Sequence, residues 1–193
     1  SSEGTFADAA RTLTDAQADG APVDAVVVVR ADAVGDRPPG AHDRAEWEQV
    51  LADHDGIVDR VLADAAWARA VADAARADER PLRLVTLVGA RTAGGRSRAQ
   101  AAAQLARAAR RATDDRVAAV AVAVEGPPGP ATDAAAAELA SHLVAHPEAT
   151  ALSGAELVVG DGWCGLRSHP RPATGVVVGG GDLPDWFDDV MRA

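Results

Sequence analysis

One loop of the sequence has the glycine content and the position of an anion-binding site. The stretch GARTAGGRS, residues 89–97, follows an apolar run that predicts a buried strand and precedes an alanine-rich stretch that predicts a helix. Backbone amides at a helix start attract phosphate, although Gly-Gly-Arg-Ser stands where phosphate-binding loops carry Gly-Lys-Ser, so a purely structural connection is the alternative. Ligands of α/β sheets bind at the carboxyl ends of strands. The candidate ligand-binding residues lie in this loop and after neighbouring strands: Arg30, Asp32, Gly89, Arg91, Gly94, Gly95, Arg96 and Glu125.

Histidine and cysteine offer further candidates for chemistry. His142 and His146 are four residues apart on one predicted helix face, a spacing that can share a metal ion. No acidic residue lies between them as in the H-E-x-x-H pattern, so a solvated pair is the alternative. His54 is expected to be a core histidine bonded to a backbone carbonyl, and a titrating site is the alternative. Cys164 has no base near it in the sequence and is expected to be an inert thiol.

The acidic balance of the chain disfavours several classes of partner. Its 193 residues carry a formal net charge of −10, which repels phosphate backbones and anionic membranes, so we expect no nucleic-acid and no membrane partner. No apolar run approaches the roughly 20 residues that span a bilayer. The single cysteine fits a reducing, cytoplasmic location. Because aromatic residues are only 3%, small aliphatic side chains must build the core, with Trp47, Trp67, Trp163 and Trp186 as large fillers.

Apolar runs alternate with helical stretches along the chain. The runs at 25–29, 82–88, 117–124 and 155–159 predict buried strands, and helical spacing predicts helices at 5–18, 57–77, 97–111 and 132–145. A helix capped by Asp43, a fifth strand at 175–178 and a helix at 184–191 are also predicted. This alternation indicates an α/β fold, with a mainly parallel sheet of four or five strands and helices on both faces.

The order of these elements resembles the C-terminal part of a short-chain dehydrogenase/reductase. The stretch GAPVDAVVVV resembles the approach to the family's fourth strand, and EWEQVLADHDGIV resembles its W-x-x-V-L-x-x-N-x-x-G helix junction. The stretch PLRLVTLVGA resembles the fifth strand, and ELASHLVAHPEATALSGAELVVGDGW resembles the last helix and strand. The resemblance, which runs over residues 5–163, implies a truncated Rossmann-like three-layer sandwich. Its strand order would be 4-5-6-7, with the strand at 25–29 exposed where the family's first strand would lie.

Two parts of the family's pattern have no counterpart in this sequence. The first strand and its glycine-rich turn, which cradle the cofactor pyrophosphate, are not recognisable, so no cofactor is expected. The family's catalytic Asn, Ser, Tyr and Lys fall on other residue types, and the chain contains no Tyr, Lys or Asn. Because a phenol donates the proton in this family and arginine stays protonated, no catalytic residue is expected at these positions. The degenerate positions are His54, Gly89, Arg96 and Gln100.

The resemblance also implies how the chain assembles. Family members pair through long helices and through their last helix and strand, which correspond here to 55–77, 97–111 and 131–160. We expect a non-catalytic dehydrogenase-like domain over 1–163 with a Pro/Gly-rich extension packed on it over 164–193. It would form a homo-oligomer, or a hetero-oligomer with an active dehydrogenase or ketoreductase, in an acyl-thioester or polyketide/fatty-acid type pathway. The alternatives are a small-molecule or nucleotide-binding domain or enzyme with its site around residues 89–95, and a chain from which an N-terminal half has been removed.

Overall fold

The computed structural model describes residues 2–18, 22–29, 45–160 and 162–169. Helices and strands alternate along them, and their bounds are as follows. The helices are α1 (Ser2–Ala18), α2 (Glu46–Asp53), α3 (Ile57–Ala77), α4 (Ala93–Ala112), α5 (Pro130–Ala145) and a 3-10 helix (Pro147–Leu152). The strands are β1 (Ala25–Val29), β2 (Leu82–Gly89), β3 (Val117–Val124), β4 (Glu156–Gly160) and β5 (Trp163–Ser168).

The strands form one sheet in the order β1-β2-β3-β4-β5. The first four are parallel, so that Val27 lies opposite Val85 and Val85 opposite Val120. β5 turns back and pairs antiparallel with β4. The predicted α/β class with a mainly parallel sheet is confirmed, and β1 to β4 follow the predicted order with β1 at an edge.

Helices cover both faces of this sheet, which gives the predicted three layers. On one face α1, α3 and α4 pack against side chains such as Val28 and Ala119. On the other face α5 and the 3-10 helix pack against side chains such as Val85 and Val122. Successive residues of a strand point to opposite faces, so strands buried on both faces are apolar throughout, as the runs in β2 and β3 are.

Small side chains fill the core, with alanine especially frequent where α3 and α4 meet the sheet. Alanine allows helices to approach closely. Tryptophan contributes less than expected: Trp67 is half-buried against the core, but Trp47 is 64% and Trp163 52% exposed. The prediction that these two residues fill the core is therefore wrong, and Trp186 lies outside the described residues.

Several boundaries differ from those predicted. α4 begins at Ala93 with Thr92 as its N-cap, not at Ser97, and α5 begins at Pro130. The N-cap of α2 is Ala45, whereas Asp43 lies outside the described residues. β5 was not predicted, and the division proposed at residue 163 falls inside the sheet because β5 continues it. The strand predicted at 175–178 and the helix at 184–191 lie outside the described residues. Within the described ranges, no helix is long and apolar enough to cross a membrane.

Candidate functional site

The predicted candidate loop lies at the carboxyl edge of the sheet, between the end of β2 and the start of α4. Gly89 is the last residue of β2, and Arg91 to Gly95 lead into the first turn of α4. Arg30 and Asp32, which the sequence placed at the same edge after β1, lie outside the described residues. The candidates in the loop at 89–97 and Glu125 after β3 lie within the described residues.

Two amides in the first turn of α4 are bonded to side chains of the chain itself. The Ala93 N–H donates to Oδ2 of Asp53, at 3.1 Å, and the Gly95 N–H donates to Oγ1 of Thr92, also at 3.1 Å. A helix N-terminus attracts anions, and here the carboxylate of Asp53, from the end of α2, takes that place. These two amides are therefore not available to a phosphate in this conformation, and ligand binding at the loop stays a prediction.

The paired glycines of the loop permit close approach of backbone to backbone. A Cβ at Gly94 would lie 1.8 Å from the Asp53 carbonyl oxygen, and a Cβ at Gly95 would lie 2.2 Å from the Gly89 carbonyl oxygen. Both distances are far below van der Waals contact, so any side chain would push the α2–α3 corner or the β2 end away from α4. The glycines thus have a packing reason to be present that requires no ligand.

The charged candidates around the loop are dispersed. Arg96 is exposed and its Nη1 donates to the Arg91 carbonyl at 3.3 Å, and Gln100 is exposed one turn further along α4. Glu125, after β3, points towards β5 instead: its Oε1 accepts a hydrogen bond from Arg167 Nη2 at 2.5 Å. This bond is the main reason that the pKa of the Arg167 guanidinium is raised above its usual value. Glu125 therefore belongs to a polar network of β4 and β5.

That network surrounds a buried carboxylate. Glu156, only 2% exposed at the start of β4, accepts from Arg167 Nη1 at 3.2 Å and from the Ser168 hydroxyl at 3.4 Å. Arg107 on α4 donates to the same hydroxyl and to the Gly154 carbonyl, both at 2.9 Å. A buried charge is tolerated only when it is paired, and these contacts supply the pairing. Their effect is to fasten β5 to β4 and α4.

His54 makes two hydrogen bonds, one of which joins it to a serine on another helix. Its Nδ1 is 2.7 Å from the Val50 carbonyl oxygen, which is the backbone contact that the sequence predicted. Its Nε2 is 2.9 Å from Ser97 Oγ on α4. The sequence gave no signal for this contact, because 43 residues separate the two side chains. Both residues are half-buried, so the prediction that His54 lies in the core is wrong.

The other histidine and cysteine candidates remain separate. His142 and His146 stack their rings, with centroids 4.0 Å apart and an interplanar angle of 24°. Among the described residues, no group of three or more His, Cys, Asp and Glu side chains is arranged to hold a metal ion. Cys164 is an exposed thiol on β5.

Two depressions lie away from the candidate loop. One, of about 760 Å³, lies at the amino ends of the strands, where Arg83 is bonded to the carbonyls of Leu143 and His146 and Arg110 is paired with Asp115. The other, of about 650 Å³, is a mainly apolar groove between α5 and β5. Its lining includes Leu139, Leu143, Leu157, Val159, Trp163 and Cys164.

Comparison with known proteins bears on the fold. No protein-family model matches the chain, and no curated protein matches it in sequence. Among solved structures, the crystal structure of a short chain dehydrogenase from Mycobacterium avium superposes with a TM-score of 0.56 at 16% identity, over 97% of this chain and 68% of that one. At this identity the likeness concerns architecture: the chain has the fold of a short-chain dehydrogenase.

Proposed function

We propose that this chain is a non-catalytic, dehydrogenase-like subunit that associates with itself or with an active short-chain dehydrogenase or ketoreductase. The observation that carries the proposal is the apolar groove between α5 and β5, which continues onto exposed apolar side chains of β5, a strand that pairs only with β4 among the described residues. Contiguous apolar surface on a folded domain marks interaction sites. The predicted association element at 131–160 contains α5 and β4, two walls of this groove.

The absence of the family's reacting groups supports a non-catalytic role. The chain has no tyrosine to protonate a carbonyl, no lysine to assist it and no asparagine. By resemblance, His54, Gly89, Arg96 and Gln100 stand at the four positions. None of these can supply a phenol, and arginine stays protonated at any working pH. A dehydrogenase fold without dehydrogenase chemistry is then best understood as a binding partner.

Strand β5, which lies at the edge of the sheet in the described part of the chain, offers the larger part of the association surface. Register places Leu166 opposite Leu157 and Cys164 opposite Val159, so these side chains share the face that lines the groove. Leu166 is 56% exposed. The outer surfaces of α3 and α4 are more polar: α3 exposes the ion-paired Arg69, Asp73 and Arg76, and α4 exposes Gln100, Gln104 and Arg111. We therefore place the association at the α5–β5 side, with the long helices secondary.

The experiment is a measurement of oligomeric state at micromolar concentration by size-exclusion chromatography with light scattering. If the chain pairs with itself, the wild type is a dimer or larger, and Leu166→Asp is a monomer because a carboxylate at the contact must lose its water. Leu51→Asp is the matched control, since Leu51 is a similarly exposed leucine on α2, outside the predicted association elements. It should leave assembly unchanged.

For a hetero-oligomer, tagged wild-type chain and the Leu166→Asp variant are compared as baits in extract of the native host. The proposal is supported if the wild-type bait recovers a dehydrogenase that retains the catalytic Asn, Ser, Tyr and Lys, and if the Leu166→Asp bait does not recover it. A wild type that stays monomeric and recovers no such enzyme contradicts the proposal. The acyl-thioester or polyketide/fatty-acid type pathway rests on resemblance, and activity of the recovered enzyme on acyl-thioester ketones is its test.

A further inference from the structure

We propose that Ser97 and His54 form a nucleophile–base pair that accepts an acyl group from an activated ester or thioester. The subunit proposed above is non-catalytic in the sense that it lacks dehydrogenase chemistry, and acyl transfer is a separate activity. It does not depend on the subunit role, because the pair lies on α4 and the α2–α3 corner, not at the α5–β5 groove. A serine within hydrogen-bond reach of a histidine that a third group orients is the arrangement that activates a hydroxyl.

The direction of the hydrogen bonds follows from the Val50 carbonyl. A carbonyl oxygen can only accept, so the contact of 2.7 Å requires the proton of the neutral imidazole to be on Nδ1. Nε2 then presents its lone pair to Ser97 Oγ, 2.9 Å away, and the hydroxyl donates to it. This is the tautomer in which histidine acts as a general base towards serine, and the Val50 carbonyl does the orienting.

The pair is held between two elements that are fixed to one another. The Asp53 carboxylate next to His54 caps the Ala93 amide at the start of α4. Gly94 brings the α4 backbone against the Asp53 carbonyl. The His54 amide and carbonyl are bonded to Leu51 and Ile57, each at 3.1 Å. Because the surrounding backbone is constrained on both sides, the Oγ–Nε2 distance is set before any substrate arrives, which is what proximity contributes to such a reaction.

The surroundings of the pair favour an acyl donor. Three exposed apolar side chains precede His54 on α2 at helical spacing, on its side of the helix: Trp47, Val50 and Leu51, which are 64%, 41% and 64% exposed. They offer an apolar surface for a short acyl chain, and Ser97 beside them is half-buried rather than enclosed in the core. An apolar acyl group with a good leaving group matches this surface better than a phosphate or a sugar.

The chemical step is a simple acyl transfer. Ser97 Oγ attacks the carbonyl carbon while its proton moves to His54 Nε2, and a C–O bond forms. The bond from carbon to the leaving thiolate or alkoxide then breaks, and the leaving group takes the proton from Nε2. Ser97 is left as an ester, which water can hydrolyse with His54 again as the base. No oxidation or reduction occurs, and no further co-reactant is needed.

The test uses p-nitrophenyl acetate with the full chain. Release of p-nitrophenolate is followed by absorbance, and peptide mass spectrometry locates the added acetyl group. We expect acetylation at Ser97, no acetylation there in Ser97→Ala, and a rate roughly 100-fold lower in His54→Gln, because general-base assistance is lost. Ser141→Ala is the matched control, since Ser141 is an exposed helical serine that should not react. Acetylation of Ser141 as fast as Ser97, acetylation of His54 instead of Ser97, or an unchanged rate in His54→Gln overturns the proposal.

A measurement on the wild type guards against misfolded variants. Nitrogen-15 NMR of the imidazole reports which ring nitrogen carries the proton, and we expect the Nδ1–H form for His54. The Nε2–H form overturns the proposal, because the serine hydroxyl then has no lone pair to donate to. Ser97→Ala is also expected to fold, since alanine is the most favourable residue in a helix interior.

Discussion

The Arg98 guanidinium on α4 and the Asp64 carboxylate on α3 form a buried ion pair held by two hydrogen bonds. Nε lies 2.7 Å from Oδ2 and Nη2 lies 2.8 Å from Oδ1, and the two side chains are only 3% and 2% exposed. Each charge loses its water on folding and regains a partner only in the other. Such a pair determines how α3 and α4 align against each other more than it contributes to net stability.

Breaking this pair from one side should be strongly destabilising. Arg98→Met leaves the Asp64 carboxylate buried without its partner, and we expect the free energy of unfolding to fall by about 3–5 kcal/mol, measured by urea denaturation. The double variant Arg98→Met with Asp64→Leu removes both charges and should recover most of that loss. An exposed pair is the control: Arg76→Met, which loses a surface contact to Asp73, should change stability by less than about 1 kcal/mol. If Arg98→Met lowers the free energy of unfolding as little as Arg76→Met does, the interpretation is wrong.

Gly94 offers a test in which the sign of the effect is informative. Replacing glycine by alanine in a helix normally stabilises by about 0.4–1 kcal/mol, because the unfolded chain loses freedom. At Gly94 the new Cβ would meet the Asp53 carbonyl oxygen at 1.8 Å, so we expect Gly94→Ala to destabilise by roughly 1–3 kcal/mol instead. Thermal unfolding of the variant beside the wild type measures this. A stabilised variant would mean that α2 does not dock on α4 as described.

The contacts of Arg167 with Glu125 and Glu156, called here the Arg167 network, predict that a lysine variant differs from the wild type in stability at alkaline pH. Because the folded state raises the pKa of Arg167, its contribution is complete below the unfolded-state pKa and is lost only as pH rises through the folded value, which lies above the usual range of experiments. Arg167→Lys places a group with an ordinary pKa of about 10.4 beside Glu125 and Glu156. We expect the variant, and not the wild type, to lose up to about 1 kcal/mol between pH 8 and pH 11.

Few other groups contribute to a stability difference between the two proteins from pH 8 to pH 11. The chain has no lysine and no tyrosine, and its single cysteine is common to the wild type and the variant, so the difference between the two proteins reports on residue 167. Urea midpoints at several pH values, for wild type and variant side by side, provide the comparison. If the urea midpoints of the two proteins change with pH by the same amount, the Arg167 network does not stabilise the pairing of β5.

Strands buried on both faces could be predicted from the sequence almost to the residue. β3 was found at its observed bounds, because a parallel strand under two helical layers must be apolar at every position. β5 was missed for the opposite reason. Its sequence WCGLRS is exposed or half-exposed throughout and carries arginine and glycine, so neither continuous apolarity nor alternation identifies it. What makes it a strand is tertiary: pairing with β4 and the Arg167–Glu156 contact.

The start of α4 and the Ser97–His54 contact show a second limit. Two consecutive glycines lower helix propensity by about 1 kcal/mol each, which favours a helix start at Ser97. The observed start at Ala93 is explained by the docking of Asp53, which requires those glycines and caps the helix. Spacing along one element can be recognised in a sequence, whereas a hydrogen bond across 43 residues depends on how two helices meet.

The edge strand β1 supports a last prediction, based on alternation across a strand. Val28 is 6% exposed and packs in the core beneath the α1–α3 layer, whereas its neighbour Val29 is 66% exposed on the other face. In the described part of the chain, β1 pairs only with β2. An apolar, unpaired strand edge promotes association, and lysine on such an edge suppresses it.

Val29→Lys should therefore change stability by no more than about 0.5 kcal/mol while reducing light scattering of concentrated or heated samples. Val28→Lys is the matched control and should destabilise by several kcal/mol, because its charge would be buried without a partner. If the two variants are equally unstable, the outward orientation of Val29 is wrong.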